Sequence, residues 1–219
     1  MNLDRSVRWS RVIAIVGLSA LFLLPLIFMV GGSLRQPGLP PPDGFEWWPD
    51  DPRWGNYRSA FGFVDLWTHV RNSGLVVAVA VPVTVLVASW AGFAIATATA
   101  AVRRRLVVLS LVALMVPLSA LWVPRFVMFK WMGLLEGLTP LIAPSLMATT
   151  PFYVLIFALA YSRIPKQLFE AARVEGLRPF QIWRRIAFPL AKPAAFAVGV
   201  LAFTFHWSNF VDALLYVSS

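Results

Sequence analysis

Residues 73–101 contain no charged side chain at all. A hydrocarbon layer about 30 Å thick is crossed by about 20 helical residues, so this stretch alone is long enough to span one. Four further stretches have nearly the same character, at about 12–34, 106–124, 138–162 and 193–217. They are continuously apolar and show no two-residue alternation, which favours helices over barrel strands. The whole chain is 59% hydrophobic and only 13% charged, with a mean hydropathy of +0.72. A soluble domain of this size needs far more charge to cover its surface. The expected fold is therefore an all-α integral membrane domain over 1–219 with five transmembrane helices.

The net charge of +9 would point to nucleic acid in a soluble protein. Here the cations sit in short segments between apolar runs, so they set orientation in the bilayer and no nucleic-acid partner is expected. Three arginines (Arg5, Arg8, Arg11) precede the first run, four basic residues lie in 35–72, and Arg103, Arg104 and Arg105 follow the second run. Arg125 and Lys130 follow the third, and seven basic residues fall in 163–192. The excess on alternate sides predicts a cytoplasmic N-terminus, cytoplasmic 102–105 and 163–192 loops, and an external C-terminus. The first apolar run is longer than a signal-peptide core of roughly 7–15 residues, so it reads as a retained span. Segment 35–72, rich in proline (Pro37, Pro40, Pro41, Pro42, Pro49, Pro52), reads as a long irregular external loop. Its Trp47, Trp48, Trp54 and Trp67 fit an interfacial aromatic belt more readily than the alternative, a docking surface. With no cysteine there is no disulfide, thiol nucleophile or Cys-based metal site, and no metal is expected.

Segment 163–192 is the one sizeable cytoplasmic element. Pro165 can open a helix on which Ile164, Leu168 and Ala171 or Ala172 recur at helical spacing. Glu170 and Arg173 are i,i+3 neighbours, and Gly176 is a natural left-handed stop. Pro179 can open a second short helix with a Phe180, Trp183, Ala187 stripe and with Arg184 and Arg185 turned away. Pro189 and Pro193 are expected to end it. Such a helix–Gly–helix elbow suits either anionic lipid, given its seven basic and two acidic residues, or a socket on a soluble partner.

The run Glu170, Ala171, Ala172, then Gly176, Ile186 and Pro189 resembles the cytoplasmic EAA signature of permease subunits of bacterial ABC importers. Phe188 stands for the usual Leu, and Glu175 and Leu177 for the common Asp and Ala. The stretches RNSGLVVAV (71–79), AGFAIATATAAVRRRL (91–106), MVPLSALWVPRF (115–126), MGLLEGLTPLIAPSL (132–146) and FTFHWSNFVDALL (203–215) are similar to the same family in order. WSNF resembles the W-N-x-F-x-W element of the carbohydrate-importer branch, the maltose-type permeases, although Asp212 stands where an aromatic is common. The resemblance implies a type I importer fold with a sixth span and a short cytoplasmic tail, both absent here, so the chain is expected to be truncated.

The family likeness further implies a translocation subunit for a carbohydrate or polyol. Its partners would be a cytoplasmic ABC ATPase dimer, a second homologous permease subunit, an external solute-binding protein and the lipid bilayer. ATP would be bound by the ATPase, and this sequence, in which no Lys precedes Ser or Thr, has no G-x-x-x-x-G-K-[ST] loop of its own. Glu170 would be the ionic anchor on that ATPase, Ala171, Ala172 and Gly176 would set fit and turn geometry, and Arg173, Ile186 and Pro189 complete the coupling set.

Polar side chains inside spans are costly and merit a functional reading. His206, Trp207 and Asn209 fall roughly 20–24 Å along the fifth span from Pro193, where they are candidates for the sugar path, Trp207 as a stacking platform. Against that stand helix–helix hydrogen bonding for Asn209 and a belt role for Trp207. Arg125 reads as an interfacial snorkelling residue. Two rivals compete: an intramembrane enzyme lacks clustered catalytic groups, with His69 and His206 the only histidines, and a secondary transporter would want internal repeats or a buried carboxylate pair. A non-transporting scaffold is the remaining alternative.

Overall fold

The computed structural model describes residues 3–40, 44 and 46–217, with side chains from residue 12 onward. The side chains of Arg5, Arg8 and Arg11, together with Pro41, Pro42 and Ser219, lie outside that description. Among the described residues every regular element is helical, and they fall into two compact units, Met1–Thr68 and His69–Ser219.

In the first unit, α1 (Leu3–Ser33) carries the first apolar run, with Pro25 inside it. Its side chains from Val12 to Val30 are all exposed, as a helix that is apolar all round must be when lipid is its solvent. The following segment is more ordered than its prolines predict. Asn56 Nδ2 donates to the carbonyls of Ser33 (2.9 Å) and Arg35 (2.7 Å), and Arg53 N–H donates to that of Leu34 (2.8 Å). These bonds satisfy carbonyls that the end of α1 leaves open. An Arg35–Glu46 ion pair (2.9 Å) adds to them, and 55–63 forms a second helix, α2 (Gly55–Phe63).

The next helix, α3 (Leu66–Thr97), begins well before the expected 73. Asp65 explains the early start: its carboxylate accepts from Thr68 N–H (3.2 Å) and Thr68 Oγ1 (2.6 Å), an N-cap bond that makes a polar first turn stable. From Val76 onward α3 buries Ala80, Thr84, Ala88 and Gly92 at four-residue spacing. That stripe of small side chains lets neighbouring helices approach closely.

Three of the expected uninterrupted spans are broken. The third run starts as α4 (Ala100–Leu114), so Arg103, Arg104 and Arg105 lie in a helix and not in a 102–105 loop. It stops before Pro117, passes through a 3₁₀ turn (Leu118–Leu121), and restarts as α5 (Trp122–Trp131) at 88°. Proline lacks the N–H and pushes the preceding residue out of the helical region, which is why the helix expected over 106–124 ends there. The fourth run is a short α6 (Thr139–Ile142), a 3₁₀ turn (Ala143–Met147), two left-handed residues, and α7 (Pro151–Ser162). Pro140, Pro144 and Pro151 punctuate what was expected as one helix over 138–162. Thr150 then caps α7.

The elbow follows as α8 (Lys166–Val174), α9 (Pro179–Ile182), a π turn (Trp183–Ala187) and α10 (Phe188–Leu190). Pro189 does not end the second half. The wider turn, in which Phe188 N–H reaches back to Trp183 O, lets the chain run past the proline before bending by 82° into α11 (Lys192–Trp207). The fifth run, expected over 193–217, breaks at Ser208–Asn209 before α12 (Phe210–Tyr216). Among the described residues three segments are long and apolar enough to cross a membrane, Val12–Ser33, Leu66–Thr97 and Thr139–Ser162 taken across its turns, or up to five counting each bent pair as one.

Candidate functional site

Two clusters in the second unit gather the candidate residues. The first is the elbow. Leu177 N–H donates to Ala172 O and Gly176 N–H to Arg173 O, both at 3.0 Å, with Gly176 at φ +78°. That pair of bonds is a Schellman closure, which the left-handed glycine makes possible. Beyond it, Gln181 Oε1 accepts from Arg178 N–H (2.8 Å) and Pro179 occupies the first helical position, so the second half starts cleanly.

The elbow has an underside and an outer side. Phe169, Ala172, Ile182, Trp183 and Ala187 are buried in the core with Phe93 of α3 and Tyr161 of α7. Glu170, Ala171, Arg173, Gly176 and Pro189 are exposed, and Ile186 is half-buried. Ala171 and Ala172 therefore do not form one patch: the first faces out and the second packs inward. Val174, which sequence reasoning passed over, is 88% exposed, the most exposed of the elbow's large apolar side chains. Lys166, Glu170 and Arg173, spaced as one face of α8, line a cleft of about 240 Å³ together with Arg103 of α4.

The second cluster joins α3, the left-handed turn and α11–α12. Ala148 and Thr149 both have φ +60°. A β-branched residue there is a genuine outlier, and the turn aims Thr149 Oγ1 at Thr84 Oγ1 (2.7 Å) and at His206 Nε2 (3.3 Å). His206 is 6% exposed, and its Nδ1 has no hydrogen-bond partner among the described residues. His206, Trp207 and Asn209 line a cavity of about 150 Å³ with His69 and Asn72 of α3. Trp207 stacks on Phe203 at 5.6 Å and is half-exposed. Thr84 lies on the four-residue stripe of α3, and Asn72 could have been found by extending that stripe one step toward the N-terminus; His69 is one turn further back, at the i−3 position from Asn72. Thr149 could not have been found so, because its role depends on backbone that no local pattern announces.

Asn209 and Asp212 tie the break before α12. Asn209 Oδ1 accepts from Asp212 N–H (3.3 Å), Asn209 Nδ2 donates to Asp212 Oδ2 (3.0 Å), and Arg125 of α5 lies 3.8 Å from the same carboxylate. Arg125 is thus the partner of a buried acid rather than a snorkelling residue. Asp212→Ala is expected to lower stability by roughly 1–3 kcal/mol, read as a fall in the thermal unfolding midpoint of the purified chain. Asp212→Asn, which keeps the Asn209 bonds, should cost less. Among the described residues no group of three or more His, Cys, Asp or Glu is placed to hold a metal ion.

The family described as "binding-protein-dependent transport system inner membrane component" matches residues 84–219. Among curated proteins, the sulfoquinovosyl glycerol transport system permease protein SmoH of Agrobacterium fabrum is 29% identical over 90% of this chain and 69% of its own length. The lactose transport system permease protein LacG of Rhizobium radiobacter is 31% identical over 75% of this chain and 59% of its own. The diacetylchitobiose uptake system permease protein DasC of Streptomyces coelicolor is 26% identical over 92% and 72%. The chain thus spans between 59% and 72% of the length of these relatives. In fold it is similar to a chain of a bacterial ABC transporter involved in the import of the acidic polysaccharide alginate. The TM-score is 0.71 at 19% identity, over 100% of this chain and 77% of that one.

Proposed function

This chain belongs to the family of binding-protein-dependent transport system inner membrane components, and from that premise we propose that it is the translocation subunit of an ATP-driven importer for a carbohydrate or related polyol. It is a multi-pass inner-membrane protein. Its partners in this reading are a cytoplasmic ATPase dimer that binds the ATP, a second homologous permease and an external solute-binding protein.

The observation that carries the reading is the elbow: a Schellman-closed turn at Gly176 that leaves Glu170, Ala171, Arg173 and Val174 exposed while Ala172 and Trp183 root it in the spans. A segment with a charged and apolar outer side and an aromatic root can be gripped by a partner and pass movement inward. ATPase closure would rock the spans between inward- and outward-open states, with Glu170 as the ionic contact. The sugar path runs past His206, Trp207 and Asn209, where the cavity offers an aromatic face beside hydrogen-bonding groups, the chemistry that suits a polyhydroxyl solute.

The test is affinity purification of the chain from its native membrane in mild detergent. A nucleotide-binding ATPase and a sister permease should co-purify, and Glu170→Ala should reduce retention of the ATPase at least about tenfold, as loss of an interfacial charge contact does. A chain that purifies alone overturns the reading.

A further inference from the structure

Beneath the elbow lies a buried polar trio. Trp183 Nε1 donates to Ser89 Oγ at 2.9 Å, and Ser89 Oγ lies 2.5 Å from Tyr161 Oη. The three side chains are 7%, 0% and 1% exposed. They come from three elements: Trp183 opens the π turn of the elbow, Ser89 sits in the last third of α3, and Tyr161 lies in the last turn of α7. Every other ring contact between the elbow and these helices is apolar. Trp90 meets Trp183 at 5.2 Å and Phe180 at 5.7 Å, and Phe93 meets Phe169 at 5.8 Å. Apolar contacts are non-directional and let surfaces slide, whereas hydrogen bonds hold one geometry and weaken steeply when it is lost.

The same helix carries the second buried polar chain. Thr84, five residues before Ser89 and about 7.5 Å along the axis, bonds to Thr149, which reaches His206 in the cavity at the far end of α11. So α3 is held by hydrogen bonds at two points: to the elbow and α7 through Ser89, and to the left-handed turn and α11 through Thr84. π turns are rare and recur at functional positions, and this one places the indole that grips α3.

We propose that the Trp183–Ser89–Tyr161 trio is a directional joint that couples the elbow rigidly to α3 and α7, so that displacement of the elbow is transmitted along α3 to the Thr84–Thr149–His206 chain and reshapes the cavity around His206. Ser89 is the hub, and all three are positioning residues that touch no solute. The joint rests on the importer reading above. Without it the elbow would slip against its aromatic seat, and a partner's movement would be absorbed there.

The chain has no cysteine, so Ala213→Cys, at the cavity, gives a single reporter within this chain, read on its own gel band. It is read with a membrane-impermeant maleimide on the whole complex in proteoliposomes, with and without ATP plus vanadate. In this background Ser89→Ala and Tyr161→Phe each remove one polar group and little volume. The expected result is that each cuts the nucleotide-driven change in labelling by about tenfold, the scale of one hydrogen bond lost, while complex yield and ATP hydrolysis stay near the unsubstituted level. Ser89→Ala combined with Tyr161→Phe should be no worse than Ser89→Ala alone, because both act through one hub. Retention of the full labelling change in the single variants overturns the joint. So does a parallel fall in yield, hydrolysis and labelling, which marks the trio as merely structural. A flat response to nucleotide in the unsubstituted complex is a different failure: it sinks the importer reading, and the joint with it.

Discussion

Gly92→Ala should lose most of the folded protein. A Cβ at residue 92 would lie 2.5 Å from Phe157 Cβ, 2.8 Å from Ala158 N and 2.9 Å from Val154 O. Two of those atoms are backbone, so no rotamer change relieves the clash, and α3 and α7 must move apart along the stripe that begins at Val76. Overpacking of this kind costs roughly 1–3 kcal/mol when neighbours can yield, and here they cannot, so the upper end or more is expected. The contact also cannot be replaced by lipid, because small-residue interfaces are held by close packing and not by a hydrophobic drive. Gly199→Ala is the matched comparison: its nearest atom is Val85 Cγ2 at 4.0 Å, and alanine in a helix interior is favoured over glycine by roughly 0.5–1 kcal/mol. Thermal unfolding in detergent should therefore show a marked drop for Gly92→Ala and no drop for Gly199→Ala. Equal midpoints for the two would mean that α3 and α7 do not pack as described.

What the amino-acid pattern made legible was set by forces acting over one turn or by bulk apolarity. The all-helical membrane class, the first two spans and the Gly176 turn are of that kind, since an uncharged run and a glycine between two amphipathic stretches each admit few solutions. The EAA resemblance located the elbow, but exposure along α8 divides Ala171 from Ala172, and only packing against Phe93 and Tyr161 determines which alanine is turned inward. Apolarity alone misplaced the start of α3, because the Asp65 cap extends a helix through polar residues that no bilayer argument covers. It also missed the breaks at Ala148–Thr149 and Ser208–Asn209, since a hydrophobic count records whether a segment tolerates lipid and not whether its backbone stays helical; the break at Pro117 falls at a proline that the sequence itself marks as able to kink a span. Non-helical backbone survives at such depth where protein buries it, as the Thr149 bonds to Thr84 and His206 do here. Ser89 is the clearest omission. A lone serine in an apolar run looks incidental until the indole of Trp183 and the phenol of Tyr161, distant in sequence, converge on it.

Gly176→Val should leave the protein folded in the membrane and uncouple it. Residue 176 is at φ +78° and nothing lies within 4 Å of where its Cβ would be, so the barrier to a side chain is conformational and not spatial. The left-handed region costs an L-residue roughly 1–2 kcal/mol, and a β-branched one more still. The elbow's turn is exposed, so that strain is relieved locally: the chain leaves the left-handed well and the bonds from Leu177 N–H to Ala172 O and from Gly176 N–H to Arg173 O open. The spans keep their packing, but α8 is no longer fixed relative to Trp183 and the π turn. A partner gripping Glu170 and Val174 would then move α8 alone. The expected outcome is normal abundance, near-normal ATP hydrolysis by the assembled complex, and at least about a tenfold smaller nucleotide-driven labelling change at Ala213→Cys, the equivalent of the strain released. Gly176→Asn sets the control, because asparagine tolerates the left-handed conformation and closes helices in the same way; it should retain most of the response. If the valine variant responds to nucleotide as fully as the asparagine one, the left-handed turn is not what makes the elbow a rigid lever.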